Sequence, residues 1–121
     1  MLTEKETKRL LDVAITGLNK GEVNLARVVF EGILMDQPEH APALIAQALS
    51  YAVVGEYERA EVLLREKVLA KNPNDPDALA YLGMTLSFSG HKDEAEEVLR
   101  QVPADSSAAK LAQELLDQLN A

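Results

Sequence analysis

Residues 51–64, YAVVGEYERAEVLL, set a glycine between an almost wholly apolar run and a charged, helix-favouring one. The same arrangement occurs at residues 15–30, ITGLNKGEVNLARVVF, and at residues 85–99, TLSFSGHKDEAEEVL. Gly21, Gly55 and Gly90 are 34 and 35 residues apart, and Ala26, Ala60 and Ala95 keep the same steps. Phe30, Leu64 and Leu99 follow each alanine by four residues, and Pro38 and Pro73 recur 35 apart. Four columns agreeing at one period describe an all-α solenoid of helix-turn-helix units. Glycine suits the turn because a helix commonly ends on a left-handed residue that a side chain would penalise.

Each unit is thus a helix A, a glycine turn, a helix B and a loop marked by proline. The chain reads as a single domain over residues 1–121, with unit 1 at about 3–38, unit 2 at about 41–73, unit 3 at about 75–103 and a capping helix at about 106–120. Thr3 and Glu6 have the spacing of a capping box, and Asp75 followed by Pro76 is a favoured helix start. Pro103 comes about one helical turn early and is expected to shorten the third helix B. In the last stretch Leu111, Leu115 and Leu119, widened by Ala108, Ala112 and Leu116, make an amphipathic helix, which suits the end of a repeat array. Seven helices are expected.

These residues resemble the tetratricopeptide repeat. The third unit supplies Leu82, Gly83, Leu86, Gly90, Ala95 and Leu99 in the family's order. The second supplies Ala48, Tyr51, Gly55, Tyr57, Ala60 and Leu64, but has Gln47 where the family usually has leucine. The first is more worn, with Val13, Ala14, Gly21, Ala26, Phe30 and Pro38. The resemblance, over roughly residues 8–103, implies a right-handed superhelix with a concave face made by the A helices.

Composition narrows the function. Twenty acidic against twelve basic residues give a net charge of −8, which repels phosphate backbones, so no nucleic-acid partner is expected. Arg59, Arg65 and Lys67 are interleaved with Glu56, Glu58, Glu61 and Glu66 and read as an ion-paired, solvated helix face. The chain has no cysteine, a charged N-terminus and no apolar run of membrane-spanning length, so a cytoplasmic protein without membrane insertion is expected.

Chemistry finds little support. His40 and His91 are the only histidines and form no ligand motif, so no metal is expected. Ser89, His91 and Asp93 alternate along one turn, where side chains diverge rather than converge on a pocket. Glu94 and Glu97 read as a solvated acidic face, and no phosphate loop or dinucleotide motif is present. The chain is not expected to be an enzyme or to carry a cofactor.

Binding is the remaining class. Leu10, Val13 and Ala14, then Leu44, Ala48 and Tyr51, then Leu79, Leu82, Gly83 and Leu86 occupy the family's packing positions. The concave positions left over are Leu11, Ile15 and Leu18, then Ile45, Leu49 and Val53, then Ala80, Met84 and Phe88. All nine are apolar, so a partner-binding groove is expected, with Leu49, Met84 and Phe88 as its centre. Relatives that clamp acidic C-termini of heat-shock chaperones use basic and amide residues there, so that activity is not expected. The groove's cover is an amphipathic or apolar helix or an extended segment of a protein or peptide client, a second copy of the chain as a homodimer, or the chain's own terminal helix. A small chain of three units with an apolar groove is similar to the tetratricopeptide chaperones of bacterial type III secretion. That likeness implies a chaperone shielding an exported subunit. The alternative is a scaffold that self-associates or fills its own groove.

Overall fold

A computed structural model describes all 121 residues. It contains helices alone: α1 (Glu4–Asn19), α2 (Val23–Asp36), α3 (Ala41–Ala52), α4, α5 (Pro76–Phe88), α6 (Lys92–Leu99) and α7 (Ala109–Leu119). Helix α4 is α-helical over Tyr57–Val62 and passes directly into a π-helical stretch, Leu63–Leu69.

Local chemistry sets the ends. Thr3 Oγ1 accepts from the Glu6 backbone N–H and Glu6 Oε1 accepts from the Thr3 N–H, completing the capping box of α1. Hydrogen bonds from Thr3, its backbone first and its side chain second, hold the Glu6 carboxyl below its usual range. Replacing Thr3 by alanine is expected to cost about 1 kcal/mol in denaturant unfolding. Because the Glu6 pKa is depressed in the fold, its share of the box is present above the unfolded glutamate pKa. That share is lost as pH falls through the lower folded value.

Gly21, Gly55 and Gly90 all have φ near +90°, at 88°, 86° and 90°. Each is followed by an N–H that reaches back to the preceding helix: Glu22 to the Gly17 carbonyl at 2.9 Å, Glu56 to Tyr51 at 2.9 Å and His91 to Leu86 at 2.8 Å. Three Schellman turns therefore fold each B helix back on its A helix. Asp75 caps α5 by accepting from the Ala78 N–H at 3.0 Å, and His40 caps α3 through Nδ1, which accepts from the Ala43 N–H at 3.2 Å. Helix α6 stops at Leu99, four residues before Pro103.

The units stack edge to edge. One core cluster joins α1, α2 and the start of α3 around Phe30 and Ile33; the larger one runs through α3, α4, α5 and α6 around Leu64, Leu82 and Leu86. Arg27 ties the first two units: its Nε donates to Ser50 Oγ at 3.2 Å and its Nη2 to the Ser50 carbonyl at 3.0 Å. Arg65 ties the outer helices of the next two, bonding Glu61 on its own helix and Glu94 on α6. The A helices approach one another, α1 with α3 and α3 with α5, whereas the backbones of α2, α4 and α6 stay apart. The stack is tighter along the A helices, so that side is its inner face. Helix α7 closes the end against α5 and α6 through Ala112 and Leu115 and touches neither α1 nor α3.

Candidate partner-binding groove

On the inner face, where α1, α3 and the start of α5 meet, lies a recess of about 250 Å³. Leu11 and Ile45, almost fully buried, form its floor, while the half-buried Ile15 and Leu49 stand in its wall beside Pro42 and Ala46. Asp75, Asp77 and Tyr81 make the third side. Burial and the neighbouring Asp75 push the Asp77 carboxyl upward, and burial and Asp77 raise the Tyr81 phenol. The recess is thus apolar below and acidic at one lip, suited to an apolar side chain flanked by a cation.

Of the nine residues expected in the groove, the structure gathers Leu11, Ile15, Ile45 and Leu49 here. Val53 and Phe88 lie outside this lining, at the far ends of α3 and α5, and are 52% and 53% exposed. Met84 is half-buried and packs against both the main core and the α7 cluster. Leu18 and Ala80 are buried and offer no groove surface. Leu18 packs in the cluster of Ala26 and Phe30, and Ala80 is too short to rise past its neighbours.

Two packing residues were also misplaced by the repeat register. Leu10 is 38% and Val13 64% exposed, although Leu79 and Leu82 at the matching positions are buried. Those positions pack against the helix B of the preceding unit, and the first unit has none before it in this structure. On α2, Leu25, Val28, Gly32 and Met35 recur at helical spacing and are likewise exposed, so unit 1 presents an apolar outer end. The near-continuous apolarity of α3 has a different cause. It is the central helix, touched by α1, α2, α4 and α5, and most of its side chains are covered from within.

Sequence reasoning missed Asp77 and Tyr81 and placed Asp75 only as a helix cap, not in this lining. The signal was available: Asp77 and Tyr81 stand 35 residues after Pro42 and Ala46, one position round the helix from Ala80. At the third turn, Ser89 Oγ and His91 Nδ1 lie 2.9 Å apart. These two side chains therefore meet rather than diverge, and the serine hydroxyl also lies 3.1 Å from the Leu86 carbonyl.

A family model described as tetratricopeptide repeat matches residues 54–119, more than half of the chain. The chain belongs to the tetratricopeptide repeat family. Two solved structures share this tetratricopeptide fold along nearly the whole chain. PcrH from Pseudomonas aeruginosa is 19% identical with a TM-score of 0.78, covering 100% of this chain and 96% of that one. The Yersinia enterocolitica type III secretion translocator chaperone SycD is 14% identical with a TM-score of 0.74, covering 99% of this chain and 87% of that one. At such identities the likeness is one of fold. No curated protein matches the tetratricopeptide chain in sequence.

Proposed function

We propose that this protein is a cytoplasmic, non-enzymatic chaperone that holds an apolar helical segment of a client protein against the inner face of its A helices. The observation that carries the reading is the pair Ile15 and Leu49, accessible above a floor of Leu11 and Ile45, with Asp75 and Asp77 at one lip. An amphipathic helix binds such a recess with its apolar face. Each large side chain fully buried contributes roughly 1.5–3 kcal/mol, much of it offset by association and ordering, so two or three suffice. Met84, Val53 and Phe88 extend the contact along the inner face, and the acidic lip favours a client with a basic residue beside its apolar stripe. The shared fold with a translocator chaperone supports a client among type III secretion subunits.

A second reading rests on a separate observation. Leu10 and Val13 on α1, with Leu25, Val28 and Met35 on α2, leave the outer end of unit 1 apolar and uncovered, which favours a homodimer joined there.

Co-purification from the native cell distinguishes the two. Leu49→Glu and Ile15→Glu, each confirmed to be helical and to melt as wild type does, are expected to lose a small companion protein at least tenfold. Val28→Glu is expected to keep it. Loss in Val28→Glu alone, with a shift to monomer, places the function at the unit 1 end instead.

A further inference from the structure

The outer side of the solenoid carries a second cavity, larger than the recess on the inner face. It has a volume of about 520 Å³ and lies between α2, α3 and α4. Leu34, Val62 and Leu63 give it an apolar wall, and Gln47 and Tyr51 give it a polar corner.

Gln47 is the unusual member. Its side chain is 6% exposed, its Nε2 reaches the Tyr51 hydroxyl only at 3.4 Å, and its Oε1 has no hydrogen-bond partner. Turning the amide over moves the deficit to the nitrogen without removing it. Buried polar atoms are rarely left so, because desolvation goes uncompensated. At the same register the third unit has the buried Leu82 and the first has Val13, so the fold accepts an apolar residue here. Tyr51 is held firmly in place, with the Arg27 and Arg59 guanidinium groups over its ring at 4.7 Å and 4.4 Å. The adjoining helix widens into its π-helical stretch at Leu63, and such turns are rare and frequent at functional sites.

We propose that this outer cavity is a second docking site, which takes one leucine-sized side chain and the adjoining amide N–H of an extended partner segment, the buried Gln47 amide turning toward the mouth so that Oε1 accepts from that N–H. The rim argues for a peptide rather than a charged small molecule. Glu58 and Glu66 are balanced there by Arg59 and Lys67, so the mouth has no net charge and suits a neutral backbone. The site shares no lining residue with the recess on the inner face, so the two can be filled together.

The test is an NMR titration of the full-length protein with N-acetyl-leucine methylamide, with the alanine analogue as control. The expected result is saturable shifts at Tyr51, Arg59, Val62 and Leu63, with Kd on the order of 1 mM for so small a ligand and at least tenfold tighter than for the alanine analogue. Gln47→Leu is expected to raise Tm by a few degrees and to weaken binding at least tenfold. Val62→Asp, at an exposed position that leaves the core intact, is expected to abolish it. Equal binding of the two analogues, unchanged binding or an unchanged Tm in Gln47→Leu, or shifts confined to the inner face around Ile15 and Leu49 overturns the proposal.

Discussion

Phe30→Ala is expected to destabilise the fold by about 3–5 kcal/mol, read from the denaturant midpoint at constant m-value. Phe30 is fully buried and packs in one cluster with Leu11, Ala14, Leu18, Ala26 and Ile33, with Ala43 and Ala46 of the next unit behind them. Most of its neighbours are small or on other helices, so the space it leaves cannot close without moving α1 against α3. Typical domains hold only about 5–15 kcal/mol in all, so the loss is a large share of the total. It also reaches the proposed client site, because Leu11 forms the recess floor from the same cluster. The neighbouring Val28→Ala, at an exposed position, is expected to stay within about 0.5 kcal/mol.

The second large effect comes from one added methyl group. A Cβ on Gly83 would lie 2.4 Å from both Cγ and Cδ2 of Leu99, which is itself buried and has nowhere to retreat. Gly83→Ala is expected to destabilise by about 1–3 kcal/mol, overpacking outweighing the gain in helix propensity. Gly32→Ala, at a helical glycine with open space around its Cβ, is expected to have the opposite sign, stabilising by roughly 0.5–1 kcal/mol. Thermal or denaturant unfolding of both variants checks the pair. Equal effects of one sign would mean that α5 and α6 are not packed as closely as described.

The glycine and alanine columns were sufficient for the architecture because each has a local cause. Gly21, Gly55 and Gly90 must take positive φ, and Ala26, Ala60 and Ala95 are buried where the two helices of a unit cross. Thr3, Asp75 and Pro76 act within their own helical turn, so their roles were legible too. The recess on the inner face was half legible. Ile15 and Leu49 follow from helical spacing, but a repeat register treats the units as equivalent, and their surroundings differ. Val13 stays exposed where Leu82 is covered, Ala80 is too short to reach the surface, and Met84 is drawn into contact with α7. The unmatched amide of Gln47 depends on the side chains of three helices, which no pattern along the chain encodes.

The central claim, that the inner face of the A helices holds a client, is tested most directly by site-specific photo-cross-linking in the native cell. A benzophenone amino acid replaces Leu49 in one variant, Val28 in a second and Val62 in a third. The account predicts a discrete adduct with a different protein from position 49, with the adduct competed away when unlabelled wild-type protein is co-expressed. Adducts of the chain with itself at position 49, or a client adduct at position 28 or 62 with none at 49, would contradict it.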